Sequence, residues 1–204
     1  MNERRLVLSF DFDDVIVPTA YNVLDHYRDT HGHNVDPARF YEGTAEDWGV
    51  IDFNDINKRI EAYFRSKKFR LDSRNPDPAA LIAIPALARR HELHVVTGRG
   101  KFMEKATSEL IEEHFPNCFQ SITHTNFFKH RFRRTKGQVC QELGADIHID
   151  DHLVHCESVL DAGIEHAFAY GDYEWNRMEV VRNGLRRCVN WDEILRGVDE
   201  VAAA

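Results

Sequence analysis

Residues 6–18 read LVLSFDFDDVIVP, and this stretch decides the fold. Leu6 to Phe10 form an apolar run of strand length. The run ends on three acids, Asp11, Asp13 and Asp14, at the tip of a segment that should be buried. Negative charge in such a place is costly unless something compensates it. Residues two apart on a strand face the same way, so Asp11 and Asp13 are expected to point into one space while Phe12 packs elsewhere.

Working outward, further apolar runs fall at 93–97, weakly at 121–123, at 147–150 and at 166–170. Helical patterns lie between and after them, at 78–90, 103–114, 135–143, 154–162 and 190–197. Strands alternating with helices of this length predict βαβ units, and so an α/β, doubly wound, mainly parallel sheet. Local chemistry marks the helix starts. TKGQ (Thr135 to Gln138) and NWDE (Asn190 to Glu193) are capping-box-like, and Asp77 precedes Pro78 as a capping acid before an N-terminal proline.

The alternation breaks between residues 19 and 74. There the pattern offers no strand but two helices, TAYNVLDHYRDTHG and DINKRIEAYFRS. A plain connection in such a fold needs only a few residues outside its helix. The expected organisation is an α/β core, 1–18 and 75–204, with a small helical cap, 19–74, inserted after the first strand.

The 204 residues are 43% apolar and 29% charged, as in an ordinary globular protein, and the net charge of -8 disfavours partnership with extended nucleic acid or an anionic membrane. Cys118, Cys140, Cys156 and Cys188 form no C-x-x-C pair, which argues against a disulfide framework or a thiolate zinc site. No run is long enough for a signal segment or a membrane span, so a soluble, cytoplasmic protein is expected. Oligomeric state is not legible.

In an open α/β sheet, ligands bind at the carboxyl ends of the strands. Asp11 and Asp13 fall at that end of the first strand. HVVTGRG closes another strand with Thr97, a hydroxyl, and Gly98, whose bare backbone lets amides approach an anion. DIHIDDH closes a third with Asp150 and Asp151. Lys136 falls in the first turn of a helix, where its charge and free amides could meet a phosphate together. An isolated D-x-D-D would be read as a turn cap; four such features in order, each at a strand or helix end, change that reading.

Taken in that order, these features resemble the haloacid-dehalogenase-like phosphohydrolase superfamily. DFDDV, the cap length, HIDDH, and AGIEHAFAYGDYEWNR ending in Trp175–Asn176–Arg177 resemble its 5'(3')-deoxyribonucleotidase-like branch in particular. The resemblance implies Asp11 as nucleophile and Asp13 as acid/base. It implies Mg²⁺ held by Asp11, the Asp13 main-chain carbonyl and the Asp150/Asp151 pair, with Asp151 favoured. Thr97, Gly98 and Lys136 would bind the phosphoryl group. Crowded carboxylates need a compensating cation, and oxygen-rich sites favour Mg²⁺ over softer metals. Asp14 is expected to have no catalytic role.

The branch resemblance has one gap: TGRG lacks the serine that many relatives place after the threonine. Arg99 either compensates as an anion-binding group or sits in solvent. Among the cap aromatics, Trp48 is the candidate substrate contact. FFKHRFRR, 127–134, reads as a basic loop steering an anionic substrate, or as a solvated loop. His148, His152 and His155 are not expected to converge on a metal. The resulting expectation is a Mg²⁺-dependent phosphomonoesterase acting on a small phosphorylated substrate, a nucleoside monophosphate by preference. The rivals are a phosphatase for another metabolite or for polynucleotide ends, and a non-catalytic binding protein of the same fold.

Overall fold

Six strands pair in the order β3-β2-β1-β4-β5-β6, every described pair parallel. The computed structural model describes residues 4–72, 75–125, 134–177 and 182–204. The strands are β1 Val7–Phe10, β2 Glu92–Thr97, β3 Ser121–His124, β4 Ile147–Asp150, β5 His166–Tyr170 and β6 Leu185–Cys188. The central strand β1 aligns Leu8 with Leu93 on one side and with Ile147 on the other.

Alternation along these strands feeds two buried layers. Leu8, Phe10, Leu93, Val95, Ile147 and Ile149 share one core with α4 (Ala80–Ala88), α5 (Glu104–His114) and α8 (Trp191–Ala203). Val96, Ala167 and Ala169 face the other way, onto α6 (Lys136–Leu143) and α7 (Leu153–Asp161). With both faces covered, an all-parallel sheet has no wet side, and the fold is doubly wound as expected.

Helix starts follow the local chemistry. Thr135 accepts from Gln138 N at 3.1 Å while the Gln138 side chain takes the Thr135 amide at 3.0 Å, a complete capping box at the head of α6. Asn190 accepts from Glu193 N at 3.0 Å to open α8. Asp77 caps the turn before α4 through the Ala79 amide at 2.7 Å.

Between β1 and α4 lie three α-helices, α1 Ala20–His31, α2 Phe53–Phe64 and α3 Lys67–Asp72, and no described strand. Val23, Leu24, Tyr27, Trp48, Ile56, Tyr63 and Phe69 pack in two small clusters of their own, with Met103. The sequence reading missed β6 and α3 and ended α8 too early. In α8 the amphipathic pattern runs on to bury Val198 and Ala202. The FFKHRFRR stretch up to residue 133 lies outside the described residues. Among the described residues no helix is long and apolar enough to cross a membrane, and all four cysteines are free and buried.

Candidate active site

The carboxyl ends of β1, β2 and β4 meet at the head of α6. Asp11 follows β1, and its amide donates to Ile149 O at 2.8 Å, which prolongs the β1–β4 ladder by one residue. Asp150 ends β4, and Asp151 follows it. Oxygens of Asp11, Asp150 and Asp151, all three residues buried, lie within 4.8 Å of one another.

The three acids are not equivalent. Lys136, 3% exposed, donates to Asp11 Oδ2 at 2.9 Å and to Asp150 Oδ2 at 2.6 Å. His148 Nε2 also donates to Asp150 Oδ2, at 2.9 Å, and the His152 amide donates to Asp150 Oδ1 at 3.0 Å. Both oxygens of Asp150 are therefore engaged. Asp151 Oδ2 accepts from the Trp175 indole N–H at 2.8 Å and from Tyr41 OH at 3.3 Å. Asp151 Oδ1 and Asp11 Oδ1 are buried and have no hydrogen-bond partner.

The electrostatics follow this division. Burial opposes the charge on Asp150, yet Lys136, His155 and His148 outweigh it and hold that carboxyl well below its usual range. Burial likewise opposes protonation of Lys136, but Asp11 and Asp150 hold its pKa above the ordinary value. Burial pushes Asp11 up to about 6 despite Lys136, with Asp150 and Asp13 adding repulsion. Asp151, buried beside Asp14, Asp150 and Asp11, is pushed well above the usual carboxylate range. Two orphaned carboxylate oxygens with raised pKa values, all hard donors, fit a divalent cation such as Mg²⁺. The donor set has no place for a thiophilic metal.

Asp13 has a different partner. Arg99 Nε donates to its Oδ2 at 2.8 Å and Nη2 to its Oδ1 at 2.7 Å. Arg99 is 3% exposed, so the solvent alternative for this residue is corrected. Thr97 is fully buried, and its Oγ1 accepts the Arg99 amide at 3.2 Å; Gly98, not Thr97, reaches the cavity surface.

Asp14 has a structural task. It sits at φ 60, a left-handed conformation that Asp tolerates better than most residues. Its carboxylate accepts from Thr19 N at 2.9 Å and Ala20 N at 3.0 Å, which satisfies the first amides of α1.

Above these groups lies a cavity of about 210 Å³, reaching Asp11, Asp13, Gly98, Arg99 and Lys136 at its floor. Its roof is apolar, from Phe40, Trp48, Phe53, Ile56, Ile60 and Phe64, with Asn57 the one amide among them. Trp48 is only 1% exposed; it stacks edge-on to Tyr27 at 5.0 Å and belongs to the cap's core as well as to the cavity wall. A larger groove of about 760 Å³ lies at the other end of the sheet, but its Arg182 and Arg186 are paired with Asp161 and Glu200.

Sequence reasoning assigned no contact to Tyr41 or Asn176, and gave His148 a structural or supporting role, which its bond to Asp150 fills. Trp175 and Asn176 were visible only as a segment ending. Asn176 Nδ2 donates to the carbonyls of Asp151 at 3.1 Å and Tyr170 at 2.7 Å, so this segment holds the strand tip that carries Asp151. Arg177 pairs instead with Asp172 at the surface. His152 and His155 have ring centroids 5.1 Å apart, whereas His148 bonds Asp150 from within β4. Among the described residues, the acids are the group that converges as potential metal ligands.

No family model and no curated protein matches the chain. Solved structures do. A haloacid dehalogenase-like family hydrolase, SP0104 from Streptococcus pneumoniae, superposes with TM-score 0.68 at 13% identity over 95% of this chain and 98% of that one. A predicted phosphatase from Clostridium acetobutylicum gives TM-score 0.69 at 14% identity, over 97% and 99%. The HAD-hydrolase YfnB from Bacillus subtilis, bound to magnesium, gives 0.62 at 14% identity, over 96% and 99%. The chain thus has the fold of the haloacid dehalogenase-like hydrolases. At these identities the likeness speaks for the fold, and the chemistry rests on the residues.

Proposed function

We propose that the protein is a Mg²⁺-dependent phosphomonoesterase working through an aspartyl-phosphate on Asp11, with nucleoside monophosphates as the favoured substrates. One observation carries the phosphatase reading: Asp11 and Asp151 each keep a buried, unpartnered oxygen, their carboxylates lie within 4.8 Å of one another, and Asp11 lines the pocket floor with Lys136. Asp11 and Asp151, with the Asp13 main-chain carbonyl, would hold the cation, and Asp150 would serve by fixing Lys136. The bound cation would supply positive charge to the phosphoryl oxygens.

In the first half of the reaction an Asp11 oxygen attacks phosphorus. The bond from phosphorus to the leaving oxygen breaks, and Asp13 gives that oxygen its proton. In the second half water attacks the same phosphorus, Asp13 takes the water's proton, and the phosphorus–Asp11 bond breaks to release phosphate. Lys136 and the Gly98 amide offset the charge carried by the phosphoryl oxygens, while Thr97, buried behind the cavity surface, shapes the turn that presents Gly98.

The nucleotide reading is supported by the roof, where aromatic faces and one amide suit a planar uncharged base better than a polyhydroxylated sugar. A panel of phosphomonoesters assayed with Mg²⁺ tests both levels. Turnover that disappears in Asp11→Asn is expected, and activity surviving that change would remove the proposal. Best turnover on a non-nucleotide would replace the substrate while keeping the chemistry.

A further inference from the structure

Resting on the phosphomonoesterase reading, we propose that Arg99 is the positioning residue for Asp13, acting through that carboxylate and not on the substrate's phosphate. The two donors that meet Asp13, at 2.8 and 2.7 Å, come from Nε and Nη2, one edge of the guanidinium. A two-pronged pair of this kind fixes the plane of a carboxylate as well as its distance.

The guanidinium is itself held from every side. Its Nη1 donates to Thr107 Oγ1 on α5 at 3.2 Å, and that hydroxyl donates onward to Met103 O at 2.9 Å. The Phe12 ring, from the core, lies 4.1 Å from the Arg99 Cζ, and the Phe69 ring, from α3, lies 5.3 Å from it. At the other end of the same residue, the main-chain carbonyl accepts from His124 Nδ1 at 3.2 Å.

This arrangement leaves the two cations of the cavity with separate tasks. Lys136 faces Asp11 and Asp150, whereas the inward edge of Arg99 is committed to Asp13. Thr19 Oγ1, at the cap entry, adds a third donor to Asp13 Oδ1 at 2.6 Å. A proton donor works only from hydrogen-bond reach of the leaving oxygen. Arg99 therefore matters in proportion to how much the leaving group needs that proton.

The test compares a nucleoside 5'-monophosphate, whose alkoxide must be protonated as it leaves, with p-nitrophenyl phosphate, whose phenolate departs without help. The constant to read is kcat/KM, which ends at leaving-group departure and so excludes the second half of the reaction. In Arg99→Met the alkyl ester is expected to lose roughly 10²-fold, and the aryl ester less than about threefold. Equal losses on the two esters would overturn the proposal, since a phosphate-binding or merely structural arginine acts on both alike. Arg99→Lys keeps the charge without the fork and should show the same imbalance; it decides the matter if Arg99→Met does not fold. Melting temperatures of Asp13→Asn, Arg99→Met and the double variant need no activity. Non-additive shifts are expected, and additive ones would count against the pairing. A wild-type protein inert toward both esters would sink the phosphatase reading and leave the melting cycle to judge Arg99.

Discussion

The floor and the roof of the cavity are built on opposite plans. The floor gathers Asp11, Asp13, Lys136 and Arg99, with Asp150 and Asp151 buried next to Asp11, each placed by a strand end or a helix start and held by partners far away in sequence. The roof is a patch of aromatic and aliphatic side chains on short cap helices and loops. Burying the floor's charges costs several kcal/mol per ion before their pairing offsets it, whereas the roof gains by burial. On the proposed reading, chemistry belongs to the floor and selection among substrates to the roof.

The sharpest way to break this comparison is at Asp11. Asp11→Asn should lower turnover by roughly 10⁴-fold or more on every phosphomonoester, while circular dichroism stays that of the folded chain. Trp175→Phe is milder: it keeps the ring but removes the N–H from Asp151 Oδ2. Loss of such a partner is expected to weaken Mg²⁺ binding about 10- to 100-fold, read by titration calorimetry without substrate. On the roof, Phe53→Ala should raise KM for a nucleotide about tenfold, the cost of roughly one lost apolar contact, while the rate at saturating p-nitrophenyl phosphate barely moves. An equal effect on both would blur the division.

A pH experiment sharpens the same contrast. Asp11 has its pKa raised from 3.8 to about 6 by burial, so the folded state holds a proton that the unfolded chain has lost. Its stabilising contribution is full below 3.8 and disappears as pH rises through about 6. Without metal, melting temperature from this group should fall over that window. The gain in melting temperature on adding Mg²⁺ should be larger at pH 7.5 than at pH 5; a gain independent of pH would contradict the assignment of Asp11 as a ligand. The smallest effect belongs to Thr135→Ala, which removes the capping box beside Lys136 and should cost about 1 kcal/mol in denaturant unfolding.

What could be read in advance followed the same division. The sheet was legible because its strands are apolar runs between helical patterns, and the convergence of Asp11, Asp150 and Asp151 because strand tips share one end of a parallel sheet. β6 was not, since Leu185–Cys188 carries two arginines and pairs only with β5 at the sheet edge. Arg99 defeated local reading because its partner is 86 residues away in the chain. Trp48 sits in a loop of small and acidic residues, which says nothing of the Tyr27 and Phe40 rings it meets. The Trp175 indole acquires its task only when β5 delivers it to Asp151, 24 residues back.

Asp14 ties these halves mechanically. Its carboxylate grips the first amides of α1, and Tyr173 OH donates to its carbonyl at 2.8 Å, all within one residue of Asp13. The cap therefore hangs from the Asp11–Asp14 segment by a short, hydrogen-bonded arm rather than a slack tether. On the proposed chemistry, a leaving group too bulky for the roof would act as a crowbar, levering α1 and dragging Asp13 off its line. Size discrimination would then show in the rate of bond breaking as well as in binding.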